Sequence, residues 1–452
     1  MNTVNEKDLA RIRKSDLFDP EWYLNNYPDV KKLGMDPALH FLKYGGLLLR
    51  DPGPSFNTRF YHGICPHPFK KNINPLLYSI SRKNSNVNYK AILWSAFHMA
   101  NGNGDYLMAE ELAKKYLPED LKYTVDALRV NLYQKNGDKK NWLASINSYF
   151  SNFNMAPISL ASCDNIIGSF ITDKLSDIKN GPLISVIMPA WNASKTIKYA
   201  VGSILKQTWI NLELIVVDDC SSDDTWEILK SLKIKDNRLK ILRNKVNVGP
   251  YVSKNLGLTI ASGQYITGHD ADDWAHPQRL EKHMKNIKNA GYPRASVEHM
   301  IRLTSDGYFS NLDKISNFSF DGVARRASIS CMIEASFMRD RLGFWDSVRF
   351  GADSEMIARI EHILGDEFKV FNTIGMICLD DESSLTNHPI HGIRANNGRL
   401  SDARSSYRDS WREWHSSKMS KDNAFLEFPL KDRRYQAIDS MVVPYNTQLI
   451  NI

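Results

Sequence analysis

Two aspartates one residue apart, Asp270 and Asp272, stand just beyond an apolar stretch, QYITGH at 264–269, that reads as a β-strand. Alternate side chains of an extended backbone point the same way, so this spacing turns both carboxylates toward one ion. Hard carboxylate oxygens suit Mg²⁺ or Mn²⁺. Such an ion bridges a diphosphate and stabilises a leaving group as charge develops on it. Asp272 is the first choice for direct metal contact, with Asp270 nearer a ribose or behind the ion's direct ligands; Asp273 has a weaker claim. The competing reading is an acidic surface turn, which the strand in front of it disfavours.

Three more polar clusters follow apolar runs in the same manner. ISVIMP (184–189) leads into Ala190, Trp191 and Asn192, and LELIVV (212–217) into Asp218, Asp219, Cys220 and Ser221. RLKILRN (238–244) precedes Asn247-Val248-Gly249, with Lys254 and Asn255 a few residues on. Trp191 offers a flat face on which a base such as uracil could stack, and Asp219 can accept a hydrogen bond from a ring N–H. Lys254 could pair with a phosphate; a solvated helix lysine is the plainer alternative.

The elements that must position these residues alternate in type. After ISVIMP comes Ser194 as a helix cap, then Ile197, Ala200, Val201, Ile204 and Leu205 on one helical face. A capped helix around Thr225–Leu232 follows the second run, and Pro250 opens a helix through Leu258 after the third. Strands alternating with helices imply a mostly parallel sheet with helices on both faces. Ligands of such sheets bind beyond the carboxyl ends of the strands, where all four clusters fall.

Upstream, the chain repeats itself at a distance of 38 residues: Phe18, Trp22, Tyr23, Pro28, Pro37 and Leu39 match Phe56, Phe60, Tyr61, Pro66, Pro75 and Leu77. Each copy reads as a short helix, a proline-marked turn and a second helix, with the aromatics as core. A lectin-like use of those rings is the sharper, less favoured reading. Residues 88–153 continue as amphipathic helices, with Gly104-Asp105 and Gly137-Asp138 spaced as in helix–turn–helix repeats.

The whole chain sets looser bounds. At 452 residues it exceeds one ordinary core, and 42% hydrophobic with 24% charged residues describes a globular protein. A net charge of +7 is compatible with a nucleotide or an anionic membrane surface and selects neither. Five scattered cysteines form no CxxC pair, which fits a reducing cytoplasm. The N-terminus lacks the apolar core of a signal peptide, and no apolar run reaches the length of a membrane span. Residues 401–436 hold eight Lys and Arg against six Asp and Glu, an ordinary solvated helical face, so nucleic acid is not an expected partner.

Taken together, ISVIMPAWN, LELIVVDDCSSDDT, NVGPYVSKNLGL and GQYITGHDADD closely resemble the nucleotide-binding half, residues 183–288, of a family 2 glycosyltransferase with the GT-A fold. The departures are small: Trp191 stands where tyrosine is usual, Cys220 where glycine is common, and Lys254 where arginine is common. The resemblance implies an α/β, Rossmann-like catalytic domain preceded by an α-helical region. It makes Pro189, Trp191, Asn192, Asp219, Lys254 and Asp270 donor-nucleotide residues, and Asp270 and Asp272 the DxD element for Mn²⁺ or Mg²⁺.

Residues 343–346 (GFWD) and 351–355 (GADSE) resemble the family's acceptor-side segment. There an acidic residue ahead of a helix takes the acceptor's proton, a position matched by Asp353, which is also expected to cap the helix; Glu355 is the reserve. The usual Glu-Asp pair reads Ala352-Asp353 here. His388 and His391 are surface histidines on the favoured reading; a late metal ligand is the alternative.

The expected organisation is a two-copy repeat module (1–87), a helical spacer (88–153), a linker (154–181), a GT-A domain (182–395) and a helical tail (396–452). The expected activity is inverting, metal-dependent transfer from a nucleotide-sugar donor, UDP-sugar favoured, to a glycan or lipid-linked glycan acceptor. The upstream repeats resemble segments of enzymes building bacterial capsule, lipopolysaccharide or exopolysaccharide, which suggests work on the cytoplasmic face of the inner membrane with peripheral membrane or assembly partners. A non-catalytic carbohydrate-binding scaffold and a nucleotidyltransferase are the rivals; the second would show a glycine- and basic-rich phosphate loop, which PAWNASK is not.

Overall fold

The computed structural model describes residues 5–81, 89–163, 165–310, 312, 318–381, 384, 387, 392 and 400–451. It divides into two compact units. The first comprises Met1–Ser145, Asn311–Asn317 and Asp321–Val323; the second holds Ile146–Ser310, Phe318–Phe320 and Ala324–Ile452. The helix Lys139–Ser151 runs across that division, which falls inside the segment read as a spacer.

In the first unit the 38-residue repeat has a capping logic. Asp19 accepts from the amide of Trp22 at 2.9 Å, and its counterpart Asn57 accepts from Phe60 at 2.7 Å. Asp36 and Asn74 cap the next equivalent pair of helices. Tyr23, Phe41, Phe56, Phe60 and Tyr61 are buried and form core, whereas Trp22 is partly exposed. At Gly104 and Gly137 the backbone is left-handed, closing one helix, while Asp105 and Asp138 accept amides of the next.

The second unit is built on a nine-stranded sheet. Ahead of it, β1 (Ile158–Leu160) and β2 (Phe170–Thr172) pair antiparallel. That hairpin lies within the segment read as a linker; three-residue strands are too short to show a period. The sheet strands are β3 (Ile184–Ala190), β4 (Leu212–Asp218), β5 (Leu239–Arg243), β6 (Tyr265–Gly268), β7 (Trp274–Ala275), β8 (Ala295–Thr304), β9 (Arg325–Arg326), β10 (Met332–Glu334) and β11 (Lys369–Asp380). Their order is β5-β4-β3-β6-β10-β8-β11-β7, with β9 on β8.

The first four of these strands are parallel, as the alternation requires; β10 then joins antiparallel to β6 and β8. β3 and β4 are buried along their whole length, the continuous apolar runs of strands covered on both faces. The helix Pro250–Thr259 lies on them so closely that a Cβ on Gly257 would come within 2.8 Å of Ile187. Chain order reverses at β3, between β4 and β6, which makes that edge a switch point.

The C-terminal residues carry the helices Asp402–Ser417 and Tyr445–Ile450 with irregular chain between. Tyr407, Trp411 and Trp414 enter the same apolar cluster as Met356, Ile360 and Ile363 of the helix Ala352–Leu364. All five cysteines are free thiols. Among the described residues no helix is long and apolar enough to cross a membrane.

Candidate active site

At the carboxyl rim Ala190 is level with Asp218, and Asp218 with Arg243, whereas β6 leaves β3 after Gly268 pairs with Ile187. Pro189 therefore sits in β3 where β6 is no longer alongside, and its missing N–H costs no ladder bond on that side. Trp191 follows, 60% exposed and so not a core aromatic. Asn192 adopts a left-handed φ of 47° and ties two loops together. Its amide donates to Ser221 Oγ at 2.9 Å, and its side-chain oxygen accepts from the Ser222 amide at 2.9 Å. The amide of Ser194, expected to cap the next helix, instead donates to Asp223 at 3.0 Å; the helix begins at Ile197 without a side-chain cap.

Asp219 is buried and engaged by the protein. Its carboxylate accepts from Asn244 Nδ2 and the Val248 amide, each at 2.8 Å, and from the Gly249 amide at 2.7 Å. Burial raises its carboxyl, and these donors oppose the shift. Asp219 thus holds the 247–249 loop at the rim. Beside it, Arg243 Nε lies 3.1 Å from Asp218, whose second oxygen is buried without a hydrogen-bond partner.

β6 ends at Gly268, so Asp270, Asp272 and Asp273 lie in the turn beyond it. The strand alternation expected to align the first two does not apply. Asp273 is buried, accepting from the Leu379 amide at 3.0 Å, and acts as the anchor of this turn. Asp270 and Asp272 are half-buried. Burial raises the carboxyl of each; Asp353 further raises Asp270 while Lys254 lowers it, and Asp270 helps push Asp272 up to about 6. Crowded carboxylates of this kind are relieved by a cation.

The donor chemistry fits a hard divalent ion. Among the described residues no group of three or more His, Cys, Asp or Glu side chains is set to hold a metal by itself. One or two carboxylates completed by substrate phosphates is the usual provision for Mg²⁺. His388 and His391 lie outside the described residues.

Asp353, the expected proton acceptor, is in the first turn of the helix Ala352–Leu364, whose N-cap is Gly351 at φ 94° without a side-chain cap bond. Asp353 therefore does not cap the helix, contrary to expectation. Its carboxylate is free to accept from Lys254 Nζ at 3.0 and 3.2 Å and from Tyr251 Oη at 3.3 Å. Lys254 is 3% exposed, not the solvated helix lysine of the alternative reading. Its ammonium stands over the rings of Tyr251 and Trp345 at 4.9 and 5.8 Å.

Lys254, Asp353, Trp345, Gly268, Ile329 and Cys331 line one cavity, which Trp191, Asp219 and Asp272 do not. Asp270 connects the two groups electrostatically, since both Lys254 and Asp353 act on it. Glu355, the reserve base, is fully buried with both oxygens bonded to Arg359 and one also to His415, which removes it from the reacting space.

Arg404 escaped the sequence reading. It is a half-buried cation of the C-terminal helix that feels the charges of Tyr251 and Asp353 and lies 4.9 Å over the Phe350 ring. A charge count over 401–436 averages it with its neighbours; only the fold singles it out.

The description "Glycosyl transferase family 2" matches residues 185–339. Over 195 residues the chain is 31% identical to an Escherichia coli protein, UDP-Glc:alpha-D-GlcNAc-diphosphoundecaprenol beta-1,3-glucosyltransferase WfaP, covering 42% of this chain and 74% of that one. The chain belongs to glycosyltransferase family 2. The family 2 match contains every rim residue from Pro189 to Asp273 and ends before Asp353.

An uncharacterized glycosyltransferase of Haemophilus influenzae is 42% identical over 105 residues, 23% of this chain and 42% of that protein. The chain spans 42%, 32% and 37% of the length of three curated relatives that it matches. A crystal structure of S. aureus TarS 1–349 in complex with UDP-GlcNAc overlaps 44% of this chain and 59% of that chain at 20% identity, with a TM-score of 0.37.

Proposed function

We propose that this protein is an inverting, metal-dependent glycosyltransferase that moves a sugar from a nucleotide-diphosphate sugar, UDP-sugar favoured, to a hydroxyl of a growing bacterial surface glycan. Capsule, lipopolysaccharide and exopolysaccharide are the glycan classes in view, with a free or lipid-linked acceptor at the cytoplasmic face of the inner membrane. The observation that carries the reading is the cluster beside the switch point of the sheet in which Lys254 is bonded to Asp353 and both act on Asp270.

Trp191 stacks the base and Asn192 fixes the loop that presents it. Asp219, held in place by Asn244, Ser253 and the Val248 and Gly249 amides, lies at the same rim and accepts from a ring N–H of the base. Asp270 and Asp272 would hold Mn²⁺ or Mg²⁺, whose positive charge would offset the negative charge of the diphosphate and of the departing nucleotide. Lys254 supplies a second positive charge to the phosphates.

Asp353 accepts the proton of the acceptor hydroxyl as its oxygen bonds to the anomeric carbon. The bond from that carbon to the diphosphate oxygen breaks with its electron pair leaving on the nucleotide. A single displacement of this kind inverts the anomeric centre and forms no sugar–enzyme bond.

The test is a panel of nucleotide sugars with Mn²⁺ and a host glycan extract, monitored for nucleotide release and glycan product. Asp353→Asn is expected to lower transfer by about 10²–10⁴-fold while retaining nucleotide binding, and Asp272→Asn to weaken metal-dependent donor binding. A fully active Asp353→Asn enzyme refutes the assigned base. Absence of transfer, hydrolysis and metal-dependent nucleotide binding with every donor favours a non-catalytic scaffold.

A further inference from the structure

Two groups with different proposed tasks are bonded to each other. Lys254 donates to both carboxylate oxygens of Asp353, at 3.0 and 3.2 Å. Lone pairs that accept from an ammonium are not open to an acceptor hydroxyl, and an ammonium engaged in this way cannot also meet a phosphate at full strength.

The geometry points to a latch, in which Lys254 is a positioning residue that occupies Asp353 until a nucleotide diphosphate draws its ammonium away, so that the base is released only in the donor-loaded site. This rests on the donor and base roles proposed above.

The surroundings suit such a handover. Lys254 is 3% exposed, so water does not compete for it. The faces of Tyr251 and Trp345 stabilise a cation without fixing it as a hydrogen-bond acceptor would. Asp353, with a side chain 27% exposed, remains open to an acceptor. When Lys254 moves, the Tyr251 hydroxyl still donates to the carboxylate. The consequence is an order of events: donor first, acceptor deprotonation second.

A double-mutant cycle on nucleotide binding tests this, because a purely structural ion pair gives no gain on removal of one partner. The probe is UDP or GDP with Mn²⁺, whichever the wild-type protein holds. Asp353→Asn frees Lys254 and is expected to tighten binding about fivefold, the scale of one partly exposed charge pair. Lys254→Met weakens binding, and adding Asp353→Asn to Lys254→Met restores none of it. Lys254→Gln replaces Lys254→Met in the cycle if the latter does not fold.

The latch is overturned if Asp353→Asn binds no tighter than wild type. It is also overturned if the gain persists without Lys254, since the effect is then simple repulsion between Asp353 and the phosphates. Wild-type protein that binds and transfers while the cycle shows no gain sinks the latch alone; wild-type protein that holds neither nucleotide sinks the donor site itself.

Discussion

Arg359 Nε donates to one oxygen of Glu355 at 3.0 Å and Nη2 to the other at 3.2 Å, one helical turn away, with both side chains fully buried. Arg359 also donates to the carbonyls of Leu342, Ala424 and Phe344, joining the helix Ala352–Leu364 to two loops. Glu355→Ala leaves that guanidinium without its counter-charge and is expected to cost about 3–5 kcal/mol of stability. Burial alone would raise the Glu355 carboxyl; Arg359 and then His415 outweigh it and hold it below the ordinary range. The sign follows: this contribution is present above the carboxylate's unfolded pKa and is lost as pH falls through the depressed folded value. Thermal unfolding from pH 7 downward, wild type against Glu355→Gln, should converge at low pH.

Trp191 behaves oppositely because it is exposed. Trp191→Ala removes little packing, so the melting temperature should stay close to wild type. Nucleotide affinity should fall by the worth of one aromatic–base stack, about 1–3 kcal/mol. Calorimetric titration with the free nucleotide measures it, and unchanged affinity removes Trp191 from the base site.

Gly249 joins the two. Its φ of 81° is the left-handed region, its amide is bound by Asp219, and a Cβ there would come within 3.2 Å of the Arg349 backbone. Gly249→Ala is expected to cost about 1–2 kcal/mol in backbone strain and to weaken nucleotide binding, because strain at this position moves the loop that Asp219 holds. A variant with reduced stability but native affinity would show that the loop does not serve the nucleotide.

How much of this was legible beforehand depends on whether a role is local. The runs at 184–189 and 212–217 are buried on both faces, and an apolar run is a property of the segment itself, so β3 and β4 fall where expected. The residues expected on the donor side fall at strand ends for the same reason. The acidic turn departed from expectation because β6 is only four residues long, and its length is set by partners distant in sequence. Ser194 and Asp353 are not caps because the helices begin at Ile197 and Ala352, details decided by loop packing. The Lys254–Asp353 contact spans 99 positions, and the place of Arg404 depends on a C-terminal helix docking. No periodicity records either.

Asp272 gives the sharpest pH test. Burial, and then the neighbouring Asp270, raise its carboxyl from the ordinary 3.8 to about 6. The folded state therefore keeps a proton that the unfolded chain has released, and this group's contribution to stability falls as pH rises across that interval. At pH 7.5 without metal the ionised carboxylate is a net penalty of order 1 kcal/mol. Asp272→Asn should then melt higher than wild type in chelator at pH 7.5 and no higher at pH 4. Added Mn²⁺ should reverse the order, stabilising wild type by binding only its folded form and leaving Asp272→Asn nearly unmoved. Because the ion needs the carboxylate deprotonated, the Mn²⁺-induced rise in melting temperature of wild type should shrink as pH drops below about 6. A rise equal in both proteins, or independent of pH, would place the ion elsewhere than on Asp272.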